Sequence, residues 1–169
     1  MRSSTFALFA GVIYLSEGLA GLVPAALTPP PPDAPPLHFD LLHGYLLGLF
    51  PMNAVHSAVN LAIAFWGIVA YHHVVSPQWY ARSVAIFFGV LAVMGLIPGL
   101  NTLFGLLPIH GHDVWLHGAT AAIAAYFGWH AEPERRTDEN SDRRKEAVPV
   151  AHDRRDGHDR RLPFNSEID

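Results

Sequence analysis

The chain has 169 residues, half of them hydrophobic and only 15% charged, with a formal net charge of −4. That length fits one domain, and so little charge is unusual for a soluble one. There is no cysteine, which excludes disulfides, thiolate metal sites and thiol nucleophiles.

The charge is segregated along the chain. Of fifteen acidic residues only Glu17, Asp33, Asp40 and Asp113 precede residue 131, and of eleven basic ones only Arg2 and Arg82 do. Residues 1–130 therefore read as a nearly uncharged membrane domain and 131–169 as a charged tail. After a polar start with Arg2, residues 5–23 are apolar or small apart from Ser16 and Glu17, long enough to cross the hydrocarbon layer as a helix. A cleaved signal peptide has a similar form, but the internal repeat described below favours a retained span. Pro24 is expected to end this helix. An outward loop follows over 24–51, rich in proline from Pro29 to Pro36 and of polyproline type there. Residues 37–50 are apolar but too short to span, and the sequence predicts an interfacial or re-entrant helix for them. Further spans are expected at about 53–71, 80–97 and 113–130. Trp79, Tyr80 and Trp129 stand where an aromatic belt lies. The tail repeats His-Asp-Arg-Arg at His152 and His158. It has too little apolar surface to offset its ordering entropy and is expected to be disordered. Its acids and bases are mixed, so it offers no nucleic-acid patch.

Two stretches align without a gap. Gly48-Leu49-Phe50-Pro51-Met52-Asn53 continues to His56 and Asn60, and Gly105-Leu106-Leu107-Pro108-Ile109-His110 continues to Asp113 and His117. The first and third spans also end alike, in Gly21-Leu22-Val23-Pro24 and Gly95-Leu96-Ile97-Pro98. The chain thus reads as an all-α, four-helix transmembrane bundle made of two tandem helix–loop–helix units in parallel. Gly11, Gly18, Gly21, Gly67, Gly89 and Gly95 are the candidates for close helix contacts. With four spans, every Lys and Arg falls on one side. The rule that basic residues flanking spans stay inside then places both termini in the cytoplasm and the chain in the plasma (inner) membrane.

The GLFPMN stretch with His56, the run GLIPGLNTLFGLLP, and His110, Asp113, Leu116 and His117 after it resemble the domain of unknown function 4383 family over about residues 5–130. The resemblance implies a small bacterial four-helix membrane protein and brings no activity with it. The family pattern has histidine at the position of Asn60.

Asn53, His56 and Asn60 fall on one helix face, as do Asp113 and His117. With Glu17 they form a candidate polar cluster in the outward halves of their spans, where ionisable groups usually face the helix interior. Three readings stay open. Asn and His bond helices together in membranes, and Asn53 and Asp113 sit where they would cap helix starts. Imidazoles and carboxylates alternatively hold Zn, Cu or Fe, as a bare metal or a haem. An Asp–His pair also relays protons. The sequence favours a non-enzymatic structural or interaction role with no cofactor and no catalytic residue, in contact with the lipid bilayer and with a homo-oligomer or membrane partner. Metal or haem binding is the alternative, and a small transporter or proton-relay subunit the second. His38, His43, His110 and His112 lie in the outward loops, where they would extend a metal site or act as interfacial residues. No phosphate loop or nucleophile elbow is present.

Overall fold

The computed structural model describes residues 2–131; apart from Ala131, the tail predicted to be disordered lies outside them. Four helices dominate: α1 Ser3–Ala20, α2 Ala54–Tyr71, α3 Pro77–Gly95 and α4 His112–Ala125. The first three are long and apolar enough to cross a membrane. The fourth expected span, 113–130, is regular α-helix only to Ala125 and continues as one wider turn over Tyr126–His130. Its 14 regular residues extend about 21 Å, short of the ~30 Å hydrocarbon layer.

Local chemistry sets the boundaries. Asn53 accepts a hydrogen bond from the His56 amide at 2.9 Å and starts α2. Ser76 caps α3 in the same way, with Pro77 at its first position, where a missing N–H costs nothing. At the far end, Arg82 Nε donates to the Gly128 carbonyl at 2.7 Å and its guanidinium lies over the Trp129 ring, a favourable place for a cation beside the exposed carbonyls of a helix end.

The helix predicted for residues 37–50 is not present. The segment instead contributes to a small antiparallel sheet of β1 Leu27–Thr28, β2 Gly44–Leu46 and β3 Phe50–Met52, in the order β1-β2-β3. Leu46 pairs with both Leu27 and Phe50, and Tyr45 with Pro51. Leu47 and Gly48 take positive φ of 56° and 71° and reverse the chain between β2 and β3, which the absent glycine side chain makes easy at Gly48. Pro51, without an N–H, lies on an edge strand, as proline in a sheet must. The second copy of the motif repeats the positive-φ reversal but forms no strand. Phe104 and Gly105 have φ of 58° and 81°, and Pro108 is as fully buried as Pro51.

Helix α1 lies along α2 and α3 along α4, with α1 and α2 both touching α3. Phe6, Tyr14, Ile63, Tyr80, Val84 and Phe88 fill the space between them. A side chain at Gly67 would meet the Ala7 carbonyl at 2.7 Å and the Tyr80 hydroxyl at 2.8 Å, so the backbones approach there. Gly18, Gly21 and Gly95 are about as crowded or more so, Gly11 is less tight with the Ala64 carbonyl at 3.2 Å, and Gly89, expected to join them, has only the Ala121 methyl at 3.8 Å. The outside is apolar: Phe9, Phe65, Ile86, Val93, Trp115 and Ile123 are each more than half exposed. The inside holds Asn53, His56, Ser57, Asn60, Asp113 and His117, each at most 3% exposed. Polar groups inside and large apolar groups outside are what a lipid solvent selects.

Candidate metal centre

The chain direction brings the last turns of α1 and the first turns of α2 and α4 to the end of the helices that carries the sheet. Asn53 ties that end together. Beyond capping α2, its Nδ2 donates to the Phe39 carbonyl at 2.9 Å and to the Leu106 carbonyl at 2.8 Å, one in each long loop. Gly105 adds a second clasp by accepting from the His38 and Phe39 amides, and a side chain there would strike the His38 ring.

Beneath this cap, one turn into each helix, three side chains meet tip to tip. Asp113 Oδ2 lies 3.7 Å from His56 Nε2 and 3.6 Å from His117 Nε2, and one donor atom from each of the three falls within 4.8 Å of the others. Helix periodicity explains the convergence: Asp113 and His117, four residues apart, share a face of α4 that meets the first turn of α2. Both separations are longer than a good hydrogen bond. Asp113 Oδ2, His56 Nδ1 and His117 Nδ1 are buried without a hydrogen-bond partner. The carbonyls of Pro51 and Pro108, the paired prolines of the repeated motif, lie close to the His56 imidazole, though neither is aligned as a partner for Nδ1. Phe88 closes the inner side, its ring centroid 5.0 Å from that of His117.

Asp113 was expected to cap its helix. It does not: the cap position is Gly111, which supplies no side chain, and the carboxyl turns inward because its burial face points at the two imidazoles. Asn60 is also buried, but its Nδ2 donates to Glu17 Oε2 at 3.4 Å rather than joining the histidines. Glu17 is half-buried on α1 and near enough for its carboxyl to interact with that of Asp113. Below it, Tyr14 shares a 2.8 Å hydrogen bond with Thr120, linking α1 to α4. His43 and His110 form a separate pair in the cap, both beside the Tyr45 ring, at centroid distances of 6.5 and 6.3 Å. Both have imidazoles held below their usual pKa by burial. The sequence placed these two in the loops and contained no signal that Tyr45 would bring them together.

Helices apolar enough to cross a membrane, enclosing polar and ionisable side chains, mark this as a membrane protein. It belongs to the DUF4383 family, a domain of unknown function, whose family model matches residues 4–130. No curated protein and no solved structure matches the chain.

Proposed function

We propose that this protein is a four-span membrane protein that holds a first-row transition-metal ion between His56, Asp113 and His117. In this reading α4 and its following turn form the fourth span. The four helices pack as a bundle of two duplicated helix–loop–helix units, and both termini face the cytoplasm. The metal site then lies in the outer half of the membrane, under the cap of strands and loops.

The observation that carries the reading is the convergence of His56 Nε2, His117 Nε2 and Asp113 Oδ2 in a buried place, at separations too long for good hydrogen bonds. Burying an unpartnered carboxylate oxygen is costly, and a shared cation removes that cost for Asp113 Oδ2. The spacing also suits an ion. Donors about 2.1 Å from a tetrahedral centre stand about 3.4 Å apart; the 3.6 and 3.7 Å to Asp113 Oδ2 are near that value, and all three donors already lie within 4.8 Å of one another, so closing on an ion would mainly bring the two imidazoles together. Two imidazoles with one carboxylate is a donor set for Zn, Fe, Ni or Cu. The space between the three tips is that of a single ion, so a bare ion fits the site better than a haem. With Nε2 as the metal ligand, His56 Nδ1 would carry the proton and face the Pro51 or Pro108 carbonyl, the outer contact metal-binding histidines generally make.

The test is elemental analysis of the full chain, purified in mild detergent without chelator, beside a His56→Ala/His117→Ala variant. The expected result is near-stoichiometric metal in the parent and its loss from the variant. Equal and negligible metal in both, after incubation with Zn, Co, Ni and Fe salts, would sink the proposal and leave the cluster as a polar link between α2 and α4.

A further inference from the structure

The loaded site has a charge problem that its three ligands do not solve. Two neutral imidazoles and one carboxylate leave a divalent ion with one uncompensated positive charge, and burying a net charge away from water is strongly unfavourable. Among the described residues, the helices carry two acidic side chains, Asp113 and Glu17. Glu17 lies beside the cluster on α1, outside the three converging donors: its Oε2 accepts from Asn60 Nδ2 at 3.4 Å, one turn along α2 from His56, and its charge is felt at Asp113. The basic side chains are elsewhere. Arg2 precedes α1 at its opposite end, and Arg82 is bonded to Gly128. Tyr14 of α1, bonded to Thr120, is the tyrosine turned toward the cluster, and it supplies no charge.

We infer that Glu17 is the second negative charge of the site, held in place by Asn60, and that it makes the site selective for divalent over monovalent cations. This rests on the metal reading above and adds to it. The sum is +2 from the ion, −1 from Asp113 and −1 from Glu17, which is zero with both imidazoles neutral. A monovalent ion at the same place gains only half the Coulomb energy from Glu17, so the carboxylate favours the divalent ion more. Asn60 stands in α2 where the aligned motif has His117 in α4. At that position the first unit presents an amide that orients a carboxylate rather than an imidazole ligand. Asn60 is therefore a positioning residue, and Glu17 acts through charge without having to touch the ion.

The experiment compares wild type, Glu17→Gln and Glu17→Asp as full chains in detergent. Co²⁺ and Zn²⁺ are titrated against a chromophoric chelator, and Ag⁺ serves as the monovalent probe. A charge pair of this kind at partly buried range changes affinity by at least roughly tenfold. Glu17→Gln is expected to weaken Co²⁺ and Zn²⁺ by that factor or more and Ag⁺ by only about the square root of it, and Glu17→Asp to recover most of the loss. Unchanged Co²⁺ affinity in Glu17→Gln would overturn the role of Glu17 and leave the three-ligand site standing. An equal loss of Co²⁺ and Ag⁺ would also overturn it, because a packing defect does not discriminate by charge. Wild type that binds none of the three ions would overturn the metal site itself, and the inference with it.

Discussion

Asn53 does more than any other side chain to hold the loop end together, because one small amide serves three backbone groups. Its oxygen caps α2, and its nitrogen bonds carbonyls in two loops that are far apart in sequence. All of this is buried, with Asn53 at 0% exposure, so lost bonds are not replaced by water. Asn53→Ala removes a helix cap, about 1 kcal/mol, and strands two carbonyls at about 1 kcal/mol or more each. A total loss of about 3 kcal/mol is expected. Asn53→Ser keeps a capping oxygen and loses both donors, so it should fall between the two, about 1 kcal/mol above Asn53→Ala. Reversible unfolding in mixed detergent micelles measures both, and an Asn53→Ser variant as stable as wild type would show that the loop bonds contribute nothing. The cap was legible in the sequence, since Asn after a proline turn and before an apolar run is a helix-start signal. The two loop bonds were not, because nothing local says which carbonyls a buried amide will meet. The same holds for Asp113, whose place in a first turn read as a cap. Its inward rotamer depends on two histidines from different parts of the chain.

The sheet and loops over the proposed metal site form an element for which we expect its own response to pH. His43 and His110 both lie beside Tyr45 with their Nε2 atoms buried and unpartnered. Burial lowers the pKa of both; the mutual repulsion of the two imidazoles lowers His110 further, while Asp40 partly offsets the effect at His43. A histidine whose folded pKa lies below its free value binds fewer protons when the cap is closed than when it is open. Closure is thus fully favoured above about pH 6.5 and is progressively lost as pH falls below that value. Backbone amides of residues 44–52 should exchange several-fold faster at about pH 5.5 than at pH 7.5 once intrinsic rates are divided out. A His43→Gln/His110→Gln variant should flatten the difference. A cap with the same protection at both pH values would refute the coupling. This element is also where the sequence misled most. A continuous apolar run of this length does not distinguish strand from helix, and its pairing partner Leu27 lies on the far side of the proline segment. The Leu47-Gly48 reversal was a hairpin signal of the kind that glycine provides, obscured by the repeat with the second motif. The helices were legible for the opposite reason: each is a long apolar run ended by Gly, Pro or a polar cap, and nothing distant is needed to define it.

Across the whole molecule, the distribution of charge and the exposed apolar side chains lead to one arrangement in the membrane. The proline-rich loop and the loop before α4 lack basic residues, while Arg2, Arg82 and the nine Lys and Arg residues beyond residue 131 fall at the opposite end or after it. By the positive-inside rule the capped end of the helices is expected to face outward, and the proposed His56–Asp113–His117 site with it. The absence of cysteine makes the arrangement directly testable, because any thiol introduced is the single reactive one. Asp33, exposed in the proline-rich loop, and Val74, 76% exposed in the turn between α2 and α3, report on opposite ends of α2. In intact cells a membrane-impermeant maleimide is expected to label Asp33→Cys at once and to label Val74→Cys only after permeabilisation. The reverse pattern would place the metal centre near the cytoplasm, and equal labelling of both before permeabilisation would mean that α2 does not cross the membrane at all.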